Sequence, residues 1–160
     1  MGVRRRVRAQ GRARRLNRAR VLLHIIARGK IGRSAEAELT ERYLKRIAWK
    51  TRVTELPDRG GRVPDPAANA VTIVLDERGK PLSSVAFAKL LEGWRDTGRR
   101  EARFLIGAAD GHEEQLRDKA DLLMSFGPAT WPHMLARAML AEQLFRAVSI
   151  LDNHPYHRDG

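Results

Sequence analysis

The sequence predicts an α/β domain with a mostly parallel sheet flanked by helices. Two observations carry this. Apolar runs of strand length recur along the chain, separated by stretches with the three-to-four-residue spacing of amphipathic helices. The first run is apolar at nearly every position rather than at alternate ones, the pattern of a strand covered on both faces. The length of 160 residues fits one domain. A domain of that size buries about 68–70% of its unfolded surface and needs no disulfide or metal staple.

Val21 to Ala27 is the first strand, ended by Arg28-Gly29-Lys30. Ser34 caps a helix whose first turn carries Glu36 and Glu38 near the positive end of the dipole. Leu39, Tyr43, Leu44 and Ile47 give it an apolar stripe to about Trp49. Arg52 to Leu56 is a second strand, stopped by Pro57. Asp58 to Asn69, rich in Gly, Pro and Arg, is a loop. Val71 to Leu75 is a third strand, which Asp76 and Gly79 are expected to break. Ser83 or Ser84 caps a helix to about Thr97, with Phe87, Leu90, Leu91 and Trp94 on one face. Arg103 to Ile106 is a fourth strand, Glu113 to Lys119 a short helix and Leu122 to Phe126 a fifth strand. Pro132 opens the last helix, which runs to about Leu151 with Leu135, Met139, Leu144, Val148 and Leu151 toward the core.

Composition narrows the chemistry. There is no cysteine, so disulfides, thiol nucleophiles and zinc-thiolate sites are excluded, and a cytoplasmic location is expected. No apolar run approaches the ~20 residues of a membrane span. The net charge of +12 is unevenly placed. Residues 1–20 hold nine arginines and no acid, which leaves 22 basic and 19 acidic residues elsewhere, a body of only +3. The high isoelectric point is therefore a property of the leader and not of the domain. The leader lacks the apolar stretch of a secretory signal and the serines of a transit peptide. A basic RNA-binding arm and a start-site artefact are the other readings; the favoured one is a solvated tail.

Three loops leave the carboxyl ends of strands: Leu75-Asp76, Gly107 to Gly111, and Phe126 to Trp131. Ligands bind at that edge of open α/β sheets. Glycines at 107, 111 and 127 let backbone approach a ligand closely. The spacing matches neither a dinucleotide fingerprint nor a lysine-terminated phosphate loop. No serine sits on a sharp turn after a strand, as a hydrolase triad would need. Each loop alone reads as an ordinary turn; the three together predict a small-molecule pocket. The last eight residues are Asn153-His154-Pro155-Tyr156-His157-Arg158-Asp159-Gly160, where two imidazoles, a phenol and a guanidinium are pre-shaped by a proline. Two histidines three apart, with no third ligand at useful spacing, are a poor metal site. Arg137, Glu142 and Arg146 are expected to line a polar groove leading to this tail, although an ordinary surface ion pair between Glu142 and Arg146 fits the spacing equally.

These residues resemble the bacterial ribosomal large-subunit RNA methyltransferase H family. The likeness rests on Leu105-Ile106-Gly107, Ser125-Phe126, Thr130-Trp131-Pro132-His133, Arg137, Glu142-Gln143, Arg146-Ala147 and the terminal His154-Pro155-Tyr156-His157. Ala27-Arg28-Gly29-Lys30, Leu75-Asp76 and Gly79-Lys80 agree in order and spacing, so the likeness runs from Val21 to Arg158. It implies a SPOUT-type domain over residues 21–160 with a trefoil knot near its carboxyl end, which general topology rules alone would not suggest. It implies a homodimer that uses S-adenosylmethionine to methylate N3 of a pseudouridine in helix 69 of 23S rRNA on the assembled ribosome, with no DNA or membrane partner. The cofactor residues it implies are Leu75, Gly107, Phe126, Gly127, Pro128, Ala129, Thr130 and Trp131. The candidates for handling the substrate's proton are His154, Glu142, Tyr156, His157 and Arg137, with no choice made among them.

The sequence departs from the family pattern at four places. Ala108 replaces a second glycine, Phe145 replaces a tyrosine, and Asp58–Asn69 is too short and proline-rich for the helix that often lies there. Residues 1–20 precede the family's usual start, and Val21 stands where an initiator would fall, as if a GTG start had been read through. A non-catalytic RNA-binding module led by the arginine-rich arm, and a knotted methyltransferase of another RNA, are the rival readings.

Overall fold

The computed structural model describes residues 21–107 and 113–158. The arginine-rich extension 1–20 and the expected loop positions from Ala108 to Gly111 lie outside the described residues. In chain order the elements are β1 (Leu22–Arg28), α1 (Ala35–Leu44), β2 (Thr51–Leu56), β3 (Ala70–Pro81), α2 (Ser84–Asp96), β4 (Glu101–Ile106), α3 (Glu114–Lys119), β5 (Leu122–Ser125) and α4 (His133–Leu151). The five strands form one sheet in the order β2-β1-β4-β3-β5, and every pairing is parallel.

Local signals set the helix starts. The hydroxyls of Ser34 and Ser83 accept from the amides of Ala37 and Ala86, satisfying donors that a helix leaves unpaired at its first turn. The first helix ends at Leu44, short of the expected Trp49. Its last turn tightens into three-residue bonds, Arg46 to Tyr43 and Ile47 to Leu44, and Ile47 and Trp49 enter the core from the following turn.

Two unequal cores flank the sheet. Leu23, Ile25, Ile73, Phe104 and Ile106 point to one face, where α1, α2 and α4 cover them. Ile26, Val74 and Leu105 point to the other, covered by Leu116 and Ala120 around α3 and by Val63 of the 57–69 loop. That loop contains no helix, and the second face is sealed thinly in consequence.

The third strand does not break at Asp76 as expected. It runs to Pro81 because β5 supplies partners twice. Leu75 and Lys80 both stand opposite Met124, so the four residues between them form an excursion over β5. Gly79 lies at this crossing, where a Cβ would sit 2.7 Å from the backbone of Leu123 and Met124. Only glycine fits such an approach.

The last helix is buried more broadly than its expected stripe. Leu140, Ala141, Phe145 and Ala147 join Leu144 and Val148 in the core, while Leu135, Met139 and Leu151 are only half-buried. No residue of α4 is fully exposed. A helix apolar nearly all round is one that packs on more than one side. Among the described residues no helix is long and apolar enough to cross a membrane.

Candidate active site

The carboxyl ends of β3, β4 and β5 open into a cleft of about 420 Å³. That is within the ~300–1,000 Å³ of small-ligand pockets. Parallel strands place all three ends at one edge, which is why loops distant in sequence meet there. Leu75, Gly107, Phe126, Gly127, Ala129, Thr130 and Trp131 line it, while Pro128 does not. Gly127 holds φ +98°, a left-handed conformation that favours glycine, and its amide donates to Ser125 Oγ at 3.0 Å. A Cβ there would meet nothing within 4 Å, so the backbone faces open space. The Trp131 indole donates to the Phe126 carbonyl at 3.3 Å and leaves the ring 43% exposed at the rim.

A carboxylate anchors one wall. Asp76 accepts from the Arg78 amide at 2.9 Å and from the Arg117 guanidinium on α3. Burial pushes the Asp76 carboxyl up, but hydrogen bonds from the Arg78 amide and the Arg117 and Arg78 side chains outweigh it and hold it below 3.8. Glu77, next in the excursion, accepts from Thr130 Oγ1 at 2.8 Å and so ties β3 to the loop after β5.

The terminal tail folds back onto α4. Asn153 takes φ 56°, reversing the chain, and the His154 amide donates to the Ser149 carbonyl. Tyr156 then packs its ring on Phe145 with centroids 4.6 Å apart and donates its hydroxyl to Glu142 at 3.1 Å. Glu142 also accepts from Arg146 and from Gln143, whose own oxygen accepts from Ser84. Burial, with hydrogen bonding to Tyr43 and Glu142, pushes the Tyr156 phenol up to about 12. Hydrogen bonding to Glu142 raises the Arg146 guanidinium in turn. Arg146 Nη1 donates to His157 Nδ1 at 3.1 Å, and the Tyr156 amide donates to His154 Nδ1 at 3.2 Å. With Nδ1 accepting, each imidazole carries its proton on Nε2 in the neutral form.

The structure therefore brings together Glu142, His154, Tyr156 and His157, with Arg146, but not Arg137. Arg137 is 1% exposed and donates to Glu55 at 2.6 Å and to the Gly29 carbonyl at 3.1 Å, tying α4 to the first two strands. Burial raises the Glu55 carboxyl, but bonds from Arg137 and the Ile31 amide outweigh it and leave it lowered. In place of the expected groove toward the tail, Arg137 forms an ion pair with Glu55, whose side chain is 34% exposed.

Sequence reasoning missed Arg117, Tyr43 and Arg46. Arg117 lies in the last turn of a short helix, where a basic residue is unremarkable, and Tyr43 reads as one member of an apolar stripe. Arg46 stacks 4.5 Å from the Phe145 centroid and 5.7 Å from that of Tyr156, a contact with no local signature.

Comparison with known proteins fits this geometry. The family described as "Predicted SPOUT methyltransferase" matches residues 21–157. A protein of Novosphingobium aromaticivorans named ribosomal RNA large subunit methyltransferase H is 67% identical over 141 residues, covering 88% of this chain and 100% of that one. Its namesake in Rhizorhabdus wittichii is 65% identical over 140 residues, with coverage of 88% and 100%. Among solved structures, a probable methyltransferase from Bordetella pertussis aligns with TM-score 0.52 at 12% identity, covering 86% of this chain and 99% of that one. A probable methylase family protein from Haemophilus influenzae aligns at 0.54 and 11%, with coverage of 89% and 72%. At those identities the structures speak to the fold alone, whereas the sequence matches speak to the family: the chain belongs to the ribosomal RNA large subunit methyltransferase H family of SPOUT methyltransferases.

Proposed function

We propose that this chain methylates N3 of a pseudouridine in helix 69 of 23S rRNA on the assembled ribosome, with S-adenosylmethionine as donor, acting as a homodimer. The observation that carries the reading is the cleft at the ends of β3, β4 and β5. Seven of the eight residues that the family resemblance assigns to the cofactor line it. The names of the relatives from Novosphingobium and Rhizorhabdus support large-subunit rRNA as the substrate.

The cleft suits the cofactor. Leu75, Ile106 and Phe126 give apolar walls for a purine ring, and the three loop backbones give polar edges. Leu75, Gly107, Phe126, Gly127, Pro128, Ala129, Thr130 and Trp131 would hold it. S-adenosylmethionine, when bound, supplies a methyl group already activated on a sulfonium. What remains for the protein is alignment and removal of the N3 proton. In the tail cluster Arg146 stays charged and serves as a donor, while Tyr156, protonated at neutral pH, gives its one O–H to Glu142 and holds that carboxylate in place. The Nε2–H groups of His154 and His157 add two more. Such a set stabilises negative charge developing on the base as its N3 proton passes to solvent water.

A second copy completes the site. Among the described residues no tail residue lines the cleft of its own chain. Ala136, on the cleft, and Glu142, in the cluster, are six residues apart on α4, about 9 Å along the axis. The half-buried Leu135 and Met139 on the outer side of that helix supply apolar surface for a symmetric contact. The excursion of β3 over β5, closed on Gly79, supports the trefoil knot at this edge. The body's small surplus of charge supports recognition of a folded ribosome rather than naked RNA.

Calorimetric titration with S-adenosylmethionine, followed by nucleoside mass spectrometry of rRNA from a deletion strain, tests the reading. Binding together with loss of the methylated pseudouridine in the strain, restored by this chain, is expected. A strain whose rRNA nucleosides are unchanged would overturn it.

A further inference from the structure

On the opposite face of the sheet lies a second cavity of about 340 Å³, separated from the cleft by α3. Its floor holds Arg103 of β4, 5% exposed. Of the five N–H donors of its guanidinium, among the described residues only the Pro64 carbonyl receives one, from Nη1. Nε is buried without a partner. No carboxylate among the described residues lies within ion-pair distance of it. The nearest acids are committed elsewhere: Glu101 to His24 at 2.8 Å and Asp65 to Arg62 at 3.1 Å. Burial lowers the Arg103 pKa, and the nearby charges of Glu101 and Asp65, which raise it, do not offset that fully.

The lining is basic. Arg28, Arg62, Arg103 and Lys119 face it against Asp65 and Glu113, a surplus of two positive charges. Arg28 donates to the carbonyls of Pro57, Gly60 and Gly61 and forms no ion pair among the described residues. The roof is the short proline-rich 57–69 loop, of which Gly61 to Pro66 line the space.

We propose that this cavity binds a phosphomonoester dianion, with Arg103 as the buried donor. Two negative charges match the surplus of two. Tetrahedral oxygens match the planar fork of a guanidinium. The volume exceeds that of bare phosphate and admits the sugar of a nucleotide or sugar phosphate. Occupancy would bear on the cleft through α3, since Lys119 faces this cavity while Arg117 holds Asp76.

The test is thermal unfolding of the full chain with increasing inorganic phosphate, at ionic strength held constant with chloride. Saturable stabilisation is expected, about 5–10 °C at roughly a hundredfold over Kd. Arg103→Met should unfold at a higher temperature than wild type without phosphate, since a buried uncompensated charge is removed, and should lose the phosphate response. Arg103→Lys, which keeps the charge, guards against a misfolded first variant and should retain a weakened response. Competition by a nucleoside monophosphate would mark a free small ligand. Competition by a short RNA carrying a terminal phosphate would mark an RNA end. A wild-type protein that ignores phosphate, a response kept in Arg103→Met, or a destabilised but folded Arg103→Met would each overturn the proposal. Binding of S-adenosylmethionine, measured alongside, reports separately on the cleft.

Discussion

The Tyr156 hydroxyl donates to Glu142 at 3.1 Å and, with the bonds from the His154 amide to the Ser149 carbonyl and from Arg146 to His157, closes the carboxyl-terminal tail onto the helix that precedes it. The ring stacks on Phe145 beneath the Arg46 and Arg146 guanidinium groups, so the contact is both polar and apolar. It turns a terminus that would otherwise fray into a shaped cluster of donors.

Tyr156→Phe should keep the ring packing and lose the hydroxyl, at a cost of about 0.5–1.5 kcal/mol. The phenol's pKa is raised above its ordinary value of 10.0 to about 12. Its contribution is therefore complete below about pH 10 and lost as pH rises through 12. Denaturant titrations of wild type and variant should differ at neutral pH and converge across that alkaline window. A gap that persists unchanged above it would assign the effect to packing instead.

His154→Ala should lower methyl transfer by roughly 10²–10³-fold while leaving cofactor affinity near wild type. His154 is exposed and packs only edgewise on Phe145, so the fold should tolerate its loss. Single-turnover methylation paired with calorimetry decides this. Normal turnover with weakened cofactor binding would contradict the role.

Asp76→Asn should destabilise the domain by about 1–3 kcal/mol at neutral pH, because buried charge-assisted bonds from two arginines are weakened. The wild-type carboxyl sits below 3.8, so its contribution is present above that pH and fades as pH falls through the lowered value. Urea unfolding at neutral and strongly acidic pH should show the gap narrowing with acid. Cofactor affinity should fall as well, since Asp76 is part of the cleft wall.

Removal of residues 1–20 should leave folding and methylation unchanged, because the family match begins at Val21, where β1 is about to start. The comparison is methylation of ribosomes by the full and shortened chains over a range of salt. Loss of activity on deletion would return functional weight to the arginine-rich arm. Mass spectrometry of the native protein tests the related idea that translation starts at Val21, which an amino terminus at Met1 or Gly2 would refute.

Much of the scaffold was legible because its signals are local. Ser34 caps the helix it was expected to cap, and of the two serines expected to cap the next, Ser83 does. The three strand-end loops meet because parallel strands must present their carboxyl ends on one edge, a consequence of alternation and not of any single residue. Ends of elements were harder to place. Asp76 and Gly79 carry breaker chemistry, yet β3 continues past them because Met124 and Ser125 offer a ladder to Lys80 and Pro81.

By itself the sequence determined the α/β alternation, the helix starts, the separation of the basic leader from a nearly neutral body and the family motifs of the cleft and tail. Each is written in neighbouring residues or in fixed spacings. The tertiary structure decided the rest. It buried Arg137 against Glu55, 82 positions away, instead of sending it to the tail. It left Arg103 without a carboxylate although Glu101 and Asp65 are near. It set the tail cluster apart from the cleft of the same chain. Pattern can say that a residue is charged or apolar, but which partner reaches it depends on packing between segments far apart in sequence.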